Sequence, residues 1–145
     1  MGNHQAARTD GTVNGSPAEE RSMIVGLGID IAEMARLAKM YEKFGRRFLE
    51  KFLTPTELAS LPAQPLPYIA GRFAAKEAAV KALGTGFSRG VGPRQIETGR
   101  NALGEPQLRF LDQALARAQR LGVRHSRLSI SHERSVAVAV VILET

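Results

Sequence analysis

The first apolar pattern in the chain runs from Ile24 to Ile31, and its short length predicts a β-strand. Alternation along this strand places bulky side chains on one face: Val25, Leu27, Ile29 and Ile31. The other face carries Gly26, Gly28 and Asp30, so it is smooth and ends in a carboxylate. Because a buried Asp needs a partner, two explanations stay open. Asp30 caps the next helix, or it binds a metal or another charged group.

The next pattern, from Ala32 to Phe44, has the spacing of an amphipathic helix with a basic outer face. The apolar stripe of this helix consists of Met34, Leu37, Ala38 and Tyr41. Basic side chains point outward from the helix and continue just beyond its end: Arg36, Lys39, Lys43, Arg46 and Arg47. A solvated face is the ordinary explanation of such charges. A docking surface for an acidic partner is the more specific one.

The stretch from Gly71 to Gly86 predicts a central helix, because alanine and straight-chain residues dominate it and a glycine ends it. On helical geometry Phe73, Glu77 and Lys81 fall in one row. The adjacent row contains only alanines, which lets another backbone approach closely: Ala70, Ala74, Ala78 and Ala82. Glu77 and Lys81 form the common stabilising pair of exposed helices. With a glycine turn beside them, they also suit a divalent cation and a phosphate.

The remaining patterns predict one more short helix and a largely extended C-terminal half. Thr54 to Glu57 combines a capping residue, a proline and a glutamate, which is a structural signal for a helix to about Ser60. The later elements are strands at Arg94 to Thr98 and Gln107 to Phe110, a helix through Leu111, Leu115 and Ala118 that ends at Gly122, and strands at Arg127 to His132 and Ser135 to Leu143. The last strand is apolar on both faces, as in a central or interface-buried strand.

Composition limits the kinds of site that the chain can contain. The 145 residues suffice for one domain with a real core. There is no cysteine and there are only three histidines, so any metal would be a hard cation on carboxylates, with magnesium as the default. The net charge of +6 favours acidic partners. Ser131, His132 and Arg134 together suit a phosphate, although a histidine beside a turn is ordinarily a surface residue.

The N-terminal residues 1–22 are polar and small, so we interpret them as a disordered extension before a folded domain at residues 23–145. No apolar run reaches the roughly 20 residues of a membrane span. The N-terminus also lacks the apolar core of a signal peptide. These features predict a cytoplasmic protein without a membrane partner.

Five motifs, taken in order from Met23 to Glu144, resemble those of the holo-acyl-carrier-protein synthases of the 4′-phosphopantetheinyl transferase superfamily. They are Gly28-Ile29-Asp30-Ile31, Leu53-Thr54-Pro55-Thr56-Glu57, Gly71 to Ala78 followed by Lys81 and Gly84-Thr85-Gly86, Gly104-Glu105-Pro106, and Ser129-Ile130-Ser131-His132-Glu133. Each motif alone is unspecific, whereas the ordered set is specific.

The resemblance implies an α+β fold, a small antiparallel sheet packed with helices. It implies an enzyme that moves phosphopantetheine from coenzyme A to a serine of apo-acyl carrier protein and releases adenosine 3′,5′-bisphosphate. Asp30 and Glu77 would then hold magnesium, and Lys81 would contact the phosphate under attack. We expect Glu77, directly or through a magnesium-bound water, to take the serine proton.

The resemblance also implies where the two substrates bind and how the chain assembles. Contacts to coenzyme A are expected at Arg72, Gly84, Thr85, Gly86, Ser131 and His132. The acidic carrier protein is expected on the basic residues Arg36, Lys39, Lys43, Arg46 and Arg47. The family's usual assembly is a homotrimer with sites between protomers.

Two other functions compete with this interpretation. A basic nucleic-acid-binding module is favoured only by charge, since the chain lacks a helix-turn-helix, a zinc pattern and aromatic residues on a basic strand face. A carrier-protein-binding subunit without catalysis is disfavoured because Asp30, Glu77 and Lys81 are all present.

Overall fold

The computed structural model describes residues 21–145, so the extension predicted over residues 1–22 lies almost entirely outside the described part. The elements in chain order are β1 (Ile24–Glu33), α1 (Met34–Phe44), α2 (Arg46–Phe52), α3 (Pro55–Ala59), α4 (Leu66–Leu83), a 3₁₀ turn (Pro93–Gln95), β2 (Ile96–Arg100), β3 (Pro106–Phe110), α5 (Asp112–Arg120), β4 (His125–His132) and β5 (Val136–Glu144). No helix within residues 21–145 is long and apolar enough to cross a bilayer.

The strands form two antiparallel sheets. The larger sheet has three strands in the order β1-β5-β4, and β2 pairs with β3 in a separate hairpin. In the larger sheet Asp30 and Ile130 lie on either side of Ala139, so the register brings the middles of all three strands together. The predicted α+β fold with a small antiparallel sheet is confirmed, and so is the central position of the last strand.

Helix α4 covers one face of the larger sheet at very short range. A Cβ on Gly28 would collide with the carbonyl of Ala78, and a Cβ on Gly26 would collide with that of Ala82. The two glycines therefore let β1 lie directly against the helix backbone. This contact confirms the close approach predicted from the alanine row, whose members are buried.

The opposite face of the larger sheet is apolar and open in the single chain. On β1, Leu27, Ile29 and Ile31 keep 65%, 55% and 62% of their surface exposed. They lie beside the half-buried β5 residues Val138, Val140 and Ile142. Val25 was expected on this face, but an irregularity in the β1 register between Ile24 and Gly26 takes it out of the alternation. Val25 packs against the core instead.

A buried ion pair joins α4 to the elements on the side of the helix away from β1. The carboxylate of Glu57, on α3, lies 2.8 Å from the ammonium of Lys76, on α4, and the two side chains are 0% and 1% exposed. Lys76 also donates hydrogen bonds to the carbonyls of Pro93 and Ile96. Glu57 accepts from the Thr98 amide at 2.7 Å and the Thr98 hydroxyl at 2.9 Å. Every donor and acceptor of the pair is thus used.

The predicted capping box of α3 is confirmed, because Thr54 and Glu57 exchange side-chain to backbone hydrogen bonds. Glu57 therefore caps its own helix and also neutralises Lys76 with the same carboxylate. The interpretation of the motif as structural holds. The pairing of Glu57 with Lys76, 19 positions later in the chain, was not predicted from the sequence.

Several predicted element boundaries were wrong for identifiable reasons. Helix α1 begins at Met34 because the two preceding residues continue the pairing of β1 with β5. The sequence analysis missed α2, which follows the positive-φ turn at Gly45. Helix α4 begins at Leu66, since Pro67 is tolerated in a first turn. The strand expected at Arg94 starts at Ile96, after the 3₁₀ turn.

Candidate active site

Asp30, Glu77 and Lys81, here called the Asp30 cluster, lie where β1 crosses α4. The Lys81 ammonium is 3.1 Å from the Asp30 carboxylate and donates a hydrogen bond to the carbonyl of Ile29 at 3.0 Å. Strand alternation turns Asp30 toward the helix, on the same face as the glycines. The alternative that Asp30 caps α1 is wrong, because Glu33 occupies the cap position and no side chain bonds there.

Glu77 is the member of the cluster whose chemistry the fold changes most clearly. Burial raises the pKa of its carboxyl, and the neighbouring Asp30 charge raises it further. Lys81 and Arg36 act in the opposite direction. Arg36 reaches the cluster from α1, with its guanidinium carbon 5.5 Å from the centre of the Phe73 ring. The row of Phe73, Glu77 and Lys81 predicted on α4 therefore faces α1 and β1 together.

The donor set of the Asp30 cluster fits a hard divalent cation that also binds a substrate. Within residues 21–145 no group of three or more His, Asp and Glu side chains could hold a metal alone. Mg²⁺ needs only one or two protein carboxylates when phosphate oxygens and waters complete its coordination. Asp30 and Glu77 supply two carboxylates whose mutual repulsion a cation would relieve.

The glycine turn lies immediately after Lys81 at the end of α4. Gly84 and Gly86 have φ angles of 77° and 60°, which favour glycine. The amides of Thr85 and Gly86 both donate to the carbonyl of Val80 at 3.2 Å. A side chain on Gly86 would meet nothing within 4 Å, so the turn presents open backbone beside the Asp30 cluster.

Arg72 and His132 line a second place, a cleft of about 320 Å³ here called the Arg72 cleft. The guanidinium carbon of Arg72 lies 4.2 Å from the centre of the Tyr68 ring. Its buried Nε has no hydrogen-bond partner among the described residues, which is a costly state for a charged donor. Arg100 also lines the cleft. Sequence reasoning missed Arg100 because only the fold of β2 brings it to Arg72.

The fold of one chain separates these two places. Arg72 and Lys81 are nine positions apart on α4, which puts them on opposite sides of the helix, about 180° apart. Gly84 lies about 18 Å further along the helix axis than Arg72. Ser131 is exposed opposite Val138, on the open face of the sheet, and so faces away from α4. The residues expected to contact coenzyme A therefore do not form one site within a single chain.

The basic residues predicted to bind a partner are all exposed on α1 and α2. Arg46 is engaged with Glu50 at 3.2 Å, and the Lys43 ammonium lies 5.3 Å from the centre of the Phe44 ring. Arg36 differs from the others because it reaches the Asp30 cluster, as described above. The basic surface and the cluster are therefore neighbours on one side of α4.

Comparison with known proteins gives one consistent result. Residues 26–141 match the family model described as the 4′-phosphopantetheinyl transferase superfamily. The chain is 60% identical over 122 residues to a holo-acyl-carrier-protein synthase of Desulfovibrio desulfuricans, a match that covers 84% of this chain and 98% of that protein.

Solved structures agree with the sequence matches. The holo-acyl-carrier-protein synthase of Neisseria meningitidis is 39% identical with a TM-score of 0.78, and the match covers 85% of this chain and all of that one. The Helicobacter pylori enzyme of the same name, in complex with coenzyme A, is 32% identical with a TM-score of 0.72, covering 81% of this chain and 98% of that one.

Proposed function

The chain belongs to the 4′-phosphopantetheinyl transferase superfamily, and we propose that the Asp30 cluster is the centre of its reaction. It transfers the 4′-phosphopantetheine group from coenzyme A to a serine of apo-acyl carrier protein, giving holo-acyl carrier protein and adenosine 3′,5′-bisphosphate. The observation that carries the proposal is the convergence of two carboxylates and one ammonium beside an open glycine turn.

Each residue of the cluster has a defined task in this proposal. Lys81 is more than half exposed and pairs with Asp30, so its ammonium can move to a phosphate oxygen when substrate arrives. Glu77 takes the proton of the attacking serine, directly or through a water. The raised pKa of Glu77 makes it a stronger base than an ordinary carboxylate.

We propose magnesium as the cofactor, held by Asp30 and Glu77. When bound, the cation would neutralise charge that develops on the phosphate groups. Asp30 and Glu77 would hold the cation where β1 crosses α4, next to Lys81. The proximity of two carboxylates, one of them destabilised in its charged form, supports this assignment.

A homotrimer with sites between protomers follows from the same proposal. Arg72 and Lys81 point to opposite sides of α4 in one chain, and a second copy could supply the Arg72 cleft to a substrate bound at the Asp30 cluster. The open face of Leu27, Ile29 and Ile31 offers the apolar surface for such contact. Ser131 lies on β4, on that same face of the sheet, opposite Val138 of β5.

The acidic carrier protein is proposed to dock on Arg36, Lys39, Lys43, Arg46 and Arg47. The exposure of these side chains and the nearness of Arg36 to Glu77 support this. A carrier on this surface would have its serine close to the Asp30 cluster.

The presence of coenzyme A as a substrate supports a cytoplasmic location, since it is an intracellular metabolite.

The test is incubation of the chain with coenzyme A, Mg²⁺ and an apo-acyl carrier protein, followed by intact mass of the carrier. We expect the carrier to gain one phosphopantetheine arm, and the gain to disappear with EDTA. A carrier of unchanged mass in the presence of Mg²⁺ would contradict the enzyme assignment. A gain that survives EDTA would contradict the cofactor alone.

A further inference from the structure

The segment between α4 and the 3₁₀ turn, residues 84–92, is tied to α5 at both ends, although α5 supplies none of the expected substrate contacts. This segment, here called the glycine loop, includes the turn Gly84-Thr85-Gly86. Its residues Gly86 to Gly90 are all exposed. Inside the loop, the Ser88 hydroxyl donates to the carbonyl of Thr85 and the Val91 amide donates to the carbonyl of Ser88. The two ties add to these bonds by fixing where the loop lies relative to α5, which determines what it presents to a ligand.

The first tie is Arg117, which projects from α5 to the end of α4. Its Nε donates a hydrogen bond to the carbonyl of Leu83 at 2.9 Å, and the contact is partly buried. One terminal nitrogen of the same guanidinium lies 3.4 Å from the place where Gly84 would carry a Cβ. Arg117 thus uses one of the carbonyls that helix geometry leaves free, and its charge suits a helix C-terminus.

The second tie is Gln95, at the other end of the glycine loop. Its amide nitrogen donates to the carbonyl of Gly90 at 2.8 Å, and its amide oxygen accepts from the backbone of Ala114 at 2.9 Å. The backbone carbonyl of Gln95 also accepts from Leu111 at 2.8 Å. One side chain therefore connects the loop to the first turn of α5. The Cβ position of Gly90 lies 3.3 Å from the side chain of Gln113, which adds a packing contact.

We propose that Arg117 and Gln95 are positioning residues for coenzyme A, which act by holding the glycine loop against α5. The inference rests on the function proposed above, because it assumes that this loop accepts coenzyme A. Neither side chain needs to touch the substrate. Loss of either tie removes one of the contacts that hold the loop in place, and coenzyme A must then order the loosened part on binding, which weakens binding of this substrate alone.

The experiment compares Arg117→Met, Arg117→Lys and Gln95→Leu with Arg120→Met as the matched control. Arg120 lies on α5 as Arg117 does, but it is exposed and its side chain makes no hydrogen bond or ion pair among residues 21–145. Binding of coenzyme A is measured by titration calorimetry, KM is measured for each substrate, and Tm is measured for every variant.

We expect Arg117→Met to raise the Kd for coenzyme A on the order of tenfold, as for loss of a hydrogen bond from a charged donor. Arg117→Lys should recover part of this loss, because it restores the charge but not the fork geometry. Gln95→Leu should raise the same Kd by a smaller factor. The KM for the carrier protein should stay unchanged in all of them, and Arg120→Met should match the parent chain.

The inference is overturned if Arg117→Met binds coenzyme A as Arg120→Met does, or if it raises both KM values alike. A fall in Tm without a change in coenzyme A binding would also overturn it, because the tie would then be purely structural. If Arg117→Met does not fold, Arg117→Lys and Gln95→Leu decide in the same way. A parent chain that neither binds coenzyme A nor modifies the carrier overturns the proposed function itself.

Discussion

Two groupings of acids and lysines lie on different sides of α4, although Lys76 of one and Glu77 of the other are adjacent in the chain and so point about 100° apart. Lys76 pairs with Glu57 on the sealed side, where both side chains are almost inaccessible to solvent. Glu77, the next residue, belongs to the Asp30 cluster on the open side, where Lys81 is 54% exposed and Asp30 is 17% exposed. The residue types are the same, yet one grouping is fully paired and the other is not.

The difference shows how burial separates a structural ion pair from a reactive one. On the sealed side, five backbone and hydroxyl groups complete the hydrogen bonding of the pair, so nothing remains for a ligand. On the open side, Lys81 pairs with Asp30, whereas Glu77 has no ion-pair partner within residues 21–145. Burial and the charge of Asp30 raise the pKa of Glu77, and Lys81 and Arg36 act in the opposite direction. A divalent cation would relieve the repulsion between the two carboxylates and leave the Lys81 ammonium for a phosphate, which is why we place catalysis there.

The largest expected effect comes from breaking the sealed pair. Lys76→Met leaves the Glu57 carboxylate buried without its cation, and we expect a loss of about 3–5 kcal/mol in the free energy of unfolding. Denaturant titration measures it. Adding Glu57→Gln to Lys76→Met should recover part of the loss, and Lys81→Met should cost far less. Equal losses for Lys76→Met and Lys81→Met would abolish the distinction between the two sides.

The open side should show the reverse, with activity lost and folding kept. Asp30→Ala and Glu77→Ala each remove an expected metal ligand, so turnover should fall at least about a hundredfold. The free energy of unfolding should change little, because neither carboxylate is completely paired. Carrier modification followed by intact mass gives the activity. A variant that keeps full turnover would show that its carboxylate is not a ligand.

Glu77 also makes a smaller prediction about pH in metal-free buffer. Because its folded-state pKa is raised, its contribution to stability is present below the ordinary pKa of a glutamate and is lost as pH rises through the raised value. At pH 7.5 Glu77→Gln removes this penalty, so Tm should rise, by no more than about 3 °C. The difference in Tm between Glu77→Gln and the parent chain should disappear near pH 4. It should become smaller when Mg²⁺ is added, because we expect the cation to stabilise the parent chain. A lower Tm for Glu77→Gln at pH 7.5 would contradict the raised pKa.

The smallest effect concerns the basic residues on α1 and α2, which lie next to the Asp30 cluster. Arg46→Glu together with Arg47→Glu should raise the KM for the carrier protein severalfold and leave that for coenzyme A nearly unchanged. Exposed charges act mainly on encounter, within roughly 8–10 Å at physiological salt. The salt dependence of kcat/KM should weaken as well. Arg36→Glu is less selective because Arg36 also touches Phe73. If only the KM for coenzyme A changes, the nucleotide and not the carrier protein binds this surface.

Local sequence patterns were sufficient for the elements whose signals lie close together in the chain. The alanine row of α4, the glycines of β1 and the capping box of α3 were predicted correctly, because each depends on residues within one or two turns or strand repeats. The grouping of Asp30 with Lys81 was one of two interpretations left open, and the structure decided between them. The catalytic and binding roles of these residues stay predictions.

The sequence by itself determined the family through its ordered motifs, and the resemblance to that family implied the α+β class. Composition determined which residue types are available for chemistry. Tertiary structure alone decided three further features: the sealing of Lys76 by Glu57, the separation of the Arg72 cleft from the Asp30 cluster, and the ties of the glycine loop to α5. Each depends on which side of α4 a residue faces and on what packs there. Spacing along one helix fixes only relative directions, and the elements that occupy those directions come from distant parts of the chain.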